Sequence, residues 1–196
     1  VKNVLNLLLA LAITAGLISC SQDDSTPTGS TGSAVDPVET AALLYITDHQ
    51  DEWQLRPFVD AMKVYSVTRD EFGQAHVRLD QTYHSLRVVQ GGAIVHLYAN
   101  LEVKYATPHV IVGVDTDLQN KISADEAVRA ARSDFDAAGY VDHSASTPEL
   151  VVLRYGKNDH LCWELAVQSG TQLGARQYYI DAHTGAIVTW IDLVIS

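Results

Sequence analysis

Hydrophobic and polar positions change period several times along the chain, and each change marks an element. Leu5 to Leu17 is an apolar run broken only by Asn6, Thr14 and Gly16. Its length suits the hydrophobic stretch of a signal peptide and is short for a membrane-spanning helix. A stretch rich in Ser, Thr, Gly and Asp follows, with no apolar periodicity. From Val38, apolar residues recur at helical spacing through Ala41, Ala42, Tyr45 and Ile46. Asp36 can cap this helix, Pro37 suits its first position and Glu39 would complete a capping box. The pattern predicts a helix to about Glu52, short of Pro57.

The period then falls to two. Met62, Val64, Tyr65 and Val67 predict a strand that ends in a turn at Asp70–Gly73. Val77, Leu79, Gln81 and Tyr83 alternate with His76, Arg78, Asp80 and Thr82, giving one apolar face interrupted only by Gln81. Leu86–Val89 continues this pattern, Gly91-Gly92 reads as a break, and Ala93–Tyr98 and Leu101–Ala106 are further strands. Ser123 and Glu126 form a second capping box, opening a helix with Ala127, Val128, Ala131, Phe135 and Ala138 and closing at Gly139. Leu150–Tyr155, Leu161–Val167, Arg176–Asp181 and Ala186–Ile195 read as strands, with turns at Gly156–Asp159 and Ala182–Gly185. The second half thus repeats the plan of the first. The predicted class is α+β: two small domains, each a helix packed on an antiparallel sheet in a cystatin-like arrangement. They span 36–115 and 116–196, meet near Asp115–Lys121 and share a modest contact.

Charge narrows the function classes. Twenty-four Asp and Glu stand against 13 Lys and Arg, a formal net charge of −11. The cations are scattered with no basic stripe, which argues against nucleic-acid binding. The two cysteines differ in setting. Leu17-Ile18-Ser19-Cys20 resembles the bacterial lipobox, which implies a signal peptide over 1–19 and lipidation of Cys20. Residues 20–35 would then be a flexible tether with an r.m.s. span of about 20 Å. The expected location is the bacterial cell envelope, lipid-anchored at the outer membrane or cell surface. Cys162 lies in the apolar run Leu161-Cys162-Trp163 and reads as a small buried hydrophobe.

Catalytic motifs are missing. The eight histidines include no pair at the helical i, i+4 spacing of H-E-x-x-H, and there is no G-x-S-x-G, P-loop or G-x-G-x-x-G. We predict no catalytic residue, no metal site and no cofactor. His76, His84 and His96 fall on predicted strands and could be neighbours across a sheet; an exposed polar strand face is the simpler account.

Three motifs carry a family resemblance. Arg78-Leu79-Asp80-Gln81-Thr82-Tyr83 is similar to the Arg-x-x-Gln-x-Tyr strand of the fungalysin/thermolysin propeptide domain, FTP. That pattern commonly continues Lys-Gly-Ile-Pro-Val; here Ser85 and Arg87 replace its glycine and proline, and Gly92 replaces a usual glutamate. Ile122–Ala127, Leu161–Leu165 and Tyr179–Val188 resemble the PepSY domain that follows FTP in proproteins of thermolysin-like metallopeptidases. Asp181, Thr184 and Gly185 hold its Asp-Ala-x-Thr-Gly turn. From their chemistry, Arg78 and Gln81 are expected to satisfy partners within the sheet, and the Asp181–Gly185 residues to form a turn.

The resemblance implies a stand-alone, lipid-anchored propeptide that inhibits, or helps fold, a thermolysin-like metalloprotease. In the family the segment leaving PepSY enters the protease cleft. The corresponding tail here is Trp190, Ile191, Leu193, Val194, Ile195 and Ser196, with the last sheet strand as the simpler reading of the same residues. The alternative function is a surface-exposed binding or adhesion module that has kept the propeptide fold without a protease partner.

Overall fold

The computed structural model describes residues 36–171 and 174–193. The lipidation candidate Cys20, the signal and tether segments, and Val194, Ile195 and Ser196 lie outside the described residues. Among the described residues two helices and nine strands follow in the order α1 (Pro37–Asp48), β1 (Asp60–Arg69), β2 (Ala75–Tyr83), β3 (Leu86–Leu97), β4 (Val103–His109), α2 (Ala124–Ala137), β5 (His143–Ala145), β6 (Glu149–Tyr155), β7 (Asn158–Ser169), β8 (Ala175–Asp181) and β9 (Ile187–Asp192). Among the described residues no helix is long and apolar enough to cross a membrane.

Both helices begin at the expected caps. Asp36 accepts from the Val38 amide at 2.9 Å, and its carboxylate also takes Arg69 of β1, also at 2.9 Å. α1 stops at Asp48, before the expected Glu52, because His49 turns its amide back to Tyr45 and Ile46 and the chain folds Trp53 and Leu55 under the helix. In α2 both arms of the capping box form, and Gly139 takes the left-handed position just past the helix end, at φ +89°.

The strands make a single sheet in the order β1-β2-β3-β6-β7-β8-β9, with β4 added to β3 and β5 to β7. Its pairings are antiparallel except for β3 with β6, which meet in parallel at Arg87↔Val151 and Val88↔Val152. β3 is long enough to serve both halves: its start pairs with β6 and its end with β4. The strands of both predicted halves thus lie in a single sheet, and their described residues fall within one compact unit.

Side-chain parity places both helices on the same face of this sheet. α1 packs Val38, Ala42 and Ile46 on Val77 and Leu79 of β2. The same face of β2 continues to Tyr83, which clusters with Val88 of β3 and Val152 of β6. Val152 lies opposite Leu161, whose face continues along β7 to Leu165 and Val167 under α2. Among the described residues no helix packs on the opposite face. That face carries His76, Arg78, Asp80, Arg87 and Glu164.

Gly91 and Gly92 lie inside β3 and do not break it. They sit where β2 and β3 slip register, between Asp80↔Gly92 and Thr82↔Arg87. A side chain at Gly92 would place its Cβ 2.2 Å from the Leu79 carbonyl oxygen. One at Gly91 would come within 2.6 Å of Gln81 Oε1. The pair marks close approach between two strands rather than a turn.

Candidate functional site

The segment joining the two halves is gripped from three directions. Gln81 is fully buried, and its amide pairs both ways with Ile111, donating to the carbonyl at 3.0 Å and accepting from the amide at 2.8 Å. This is the partner expected of the one polar residue on an apolar strand face. Arg56 forks onto Asp60 and also donates to the Val114 carbonyl at 2.6 Å. Arg154 forks onto Asp159 at 2.7 Å through both bonds and donates to the Val112 carbonyl at 3.0 Å. Asp159 in turn accepts from the Asp115 amide at 2.9 Å. Val114, at the centre, is fully buried. The connector thus acts as a bolt between the halves.

The family-motif residues of β2 separate by face. Gln81 and Tyr83 are buried, while Arg78 is exposed and no hydrogen bond or ion pair of its guanidinium is described. The expectation of a partner within the sheet fails for Arg78 because its neighbours across the sheet, Ser66 and Ile94, offer no carboxylate. Arg78 lines a groove of about 300 Å³ with Asp80, Arg87, Gln90, Thr107 and His109. A second groove, of about 330 Å³, shares Asp80 and Arg87 and extends to Lys63, Tyr65 and Glu149.

Arg87 stands between the grooves and ties the halves together by pairing with Glu164 of β7. Glu164 also accepts from the Tyr179 hydroxyl at 2.9 Å. Burial first, and then this carboxylate, push the Tyr179 phenol upward. The two departures from the propeptide pattern on this side therefore have structural consequences. Ser85 adopts a left-handed backbone at φ +71°, a conformation that favours glycine, and Arg87 supplies a cross-junction ion pair that proline could not.

The Asp181–Gly185 residues form the expected turn. Asp181 Oδ1 accepts from the amides of His183 and Thr184 and from the Thr184 hydroxyl, and Gly185 adopts φ +77°. Asp181 Oδ2 lies 3.2 Å from His160 Nδ1. Burial opposes ionisation of Asp181, but the bonds from His160, Thr184 and His183 outweigh it and hold the carboxyl below its usual range. Asp159 is held low in the same way: burial is outweighed by Arg154 and the Asp115 amide. A carboxyl depressed on folding stabilises above its unfolded pKa, and that stability is lost as pH falls through the folded one. We expect a lower urea midpoint at about pH 3 than at about pH 6, with a smaller difference in Asp181→Asn. A midpoint unchanged between the two would contradict this assignment.

At the far edge, β9 runs antiparallel to β8 from Ile180↔Ile187 to Arg176↔Asp192. Trp190 and Ile191, candidates for a protease-contacting tail, are strand residues here, and Leu193 follows directly with its amide on the Ala175 carbonyl. Trp190 is braced by Arg176, whose guanidinium lies 4.0 Å from the ring centroid. All three remain at least 40% exposed. The outer edge of β9 has no described strand beside it.

Of the three strand histidines, His76 and His96 meet across β2 and β3, while His84 sits in the β2–β3 turn at the other end of β2. Cys162 of β7 is buried with Val89, Val151, Leu153 and Tyr179, and burial, followed by Asp181 and Glu164, pushes its thiol up to about 12. At about pH 8 the thiol is then held in its protonated, unreactive form. The full chain carrying Cys20→Ser is expected to resist iodoacetamide while folded and to react fully in urea. Rapid alkylation of the folded chain would show that Cys162 is accessible.

Comparison with known proteins matches residues 60–104 to the Fungalysin/Thermolysin Propeptide Motif and residues 121–190 to the Peptidase propeptide and YPEB domain. A search of curated proteins finds no match. Among solved structures, the chain is similar to the Bacillus megaterium YpeB C-terminal domain at 13% identity and a TM-score of 0.43. That match covers 81% of this chain, which spans 64% of the YpeB chain. A Clostridium difficile 630 protein described as a candidate lipoprotein matches at 9% identity and a TM-score of 0.30, covering 76% of this chain and 90% of its own. Both matched domains are of the propeptide kind and not catalytic, in keeping with a non-enzyme. The motif strand with Gln81 at its centre and the Asp181–Gly185 turn thus belong to a chain that carries an FTP propeptide motif followed by a PepSY domain.

Proposed function

We propose that this protein acts on a thermolysin-like metalloprotease as a propeptide-type inhibitor or folding chaperone, held at a bacterial membrane through a lipidated Cys20. The observation that carries the reading is the succession of an FTP motif and a PepSY domain within one continuous sheet. Two features of that sheet favour docking. The connector is bolted by Gln81, Arg56 and Arg154, so the body meets a partner with little ordering cost. The outer edge of β9, beside which no described strand lies, offers main-chain groups for strand addition, with Trp190, Ile191 and Leu193 exposed as apolar contacts. Val194, Ile195 and Ser196 extend the same path in sequence.

The test uses the full chain in mild detergent and a thermolysin-like metalloprotease freed of its own prosegment. Peptide hydrolysis and refolding yield are measured as the chain is added at micromolar concentration. Inhibition or a higher yield is expected, weakened by Ile191→Asp on the β9 edge. No binding, with both readouts unchanged, rejects the reading and leaves the adhesion-module alternative. Membrane attachment is tested separately: Cys20→Ser should move the chain from the membrane to the soluble fraction of expressing bacteria.

A further inference from the structure

We propose that His76 and His96 form a two-imidazole site for a divalent late transition-metal ion, such as Zn²⁺ or Cu²⁺, on the open face of the sheet. The two residues are directly opposed in the β2–β3 register. Their Nδ1 atoms face each other at 2.7 Å, with ring centroids 4.9 Å apart and planes at 73°. Two imidazole nitrogens bound to one ion at about 2.0–2.1 Å are separated by about 2.9 Å at a right angle and about 3.4 Å at the tetrahedral angle. The gap must open by only a few tenths of an ångström, within the reach of small ring rotations about staggered side-chain torsions.

The surroundings favour ligation through these atoms. Tyr105 of β4 stacks on His96 with centroids 4.2 Å apart and planes at 24°, fixing that ring. Asp70 Oδ2 lies 3.9 Å from Nε2 of His76, the nitrogen turned away from the pair. A carboxylate there can take the Nε2–H of a ring that ligates through Nδ1, which orients the ring and raises its basicity. Lys104 of β4 adds unfavourable charge nearby but is engaged by Gln74 Oε1 at 3.3 Å. The His76 side chain is 36% exposed and Tyr105 is half exposed, so water can complete the coordination shell. Among the described residues no third His, Cys, Asp or Glu joins the pair to form a larger ligand cluster. The site is therefore one of modest affinity, open to further ligands from solvent or a partner. Imidazole ligands in a pair suit zinc and copper better than magnesium or calcium.

The experiment titrates ZnCl₂ and CuCl₂ into the full chain carrying Cys20→Ser, in mild detergent, with calorimetry as the readout. One ion per chain at micromolar affinity is expected, at least tenfold weaker in His76→Gln and in His96→Gln and unchanged in His160→Gln. Two measurements on the unsubstituted pair guard against variants that misfold. Copper resonance should show hyperfine coupling to two imidazole nitrogens. Long-range ¹H–¹⁵N spectra with zinc should shift Nδ1, and not Nε2, of both rings. Absence of binding at millimolar ion, affinity in the His76 and His96 variants equal to that of the unsubstituted pair, or a one-nitrogen copper spectrum would overturn the site and leave a proton-sharing imidazole pair.

Discussion

Gly92→Val is expected to lower the stability of the fold by about 3 kcal/mol or more, at or beyond the upper end of what overpacking usually costs. The obstacle is backbone. An added Cβ would sit 2.2 Å from the Leu79 carbonyl oxygen, and no rotamer of the new side chain can move that atom away. β2 and β3 would have to part at the point where their register slips, next to the parallel pairing that joins the two halves. Gly91→Ala should cost less, because its nearest obstacle is the end of the Gln81 side chain. Urea unfolding followed by tryptophan fluorescence is the measurement: Trp53 reports on the first half, and Trp163 and Trp190 on the second. A Gly92→Val midpoint equal to that of the parent would mean that the close approach of the strands is not a constraint.

Gln81→Leu is expected to cost about 3 kcal/mol, although the replacement is apolar and close in size. The loss lies in what the amide leaves behind. Both the amide and the carbonyl of Ile111 lose their partner, and each backbone group left unpaired away from water costs about 1–3 kcal/mol. The consequence should extend beyond overall stability. Gln81 is the inner grip on the connector, so its loss leaves Ile111–Asp115 to the outer bonds from Arg56, Arg154 and Asp159 and to the packing of Val114. Hydrogen exchange is expected to rise most at Ile111 and its neighbours, and limited proteolysis to cut between the halves. Parent-like exchange at Ile111 in a stable Gln81→Leu chain would show that the buried amide does not hold the connector. If propeptide-type docking depends on a rigid body, the same variant should bind a metalloprotease more weakly than its stability loss alone would produce.

Much of the fold was legible in the chain's local patterns. Period-two alternation placed β1, β2, β6 and β7. The Ser123 capping box and Gly139 bracketed α2, because caps and left-handed glycines satisfy backbone groups within a few residues of where they occur. Gln81 stood out as a polar residue on an apolar face, and burial with a partner followed from the cost of leaving it unpaired. The Asp181–Gly185 turn was equally local. Other features depended on residues far apart. Gly91-Gly92 resembles a turn in one dimension and becomes a strand interior only because Leu79 and Gln81 press against it from β2. Arg78 and Arg87 are both strand arginines by pattern. Arg87 gains a carboxylate from 77 residues away, while Arg78 is left without one. Two helix-and-strand halves were evident in the sequence, but their union was not. Four residues in parallel register, Arg87 and Val88 against Val151 and Val152, make one sheet of them. Alternation specifies which side of a strand is apolar; which strands become neighbours depends on how the two halves meet in space.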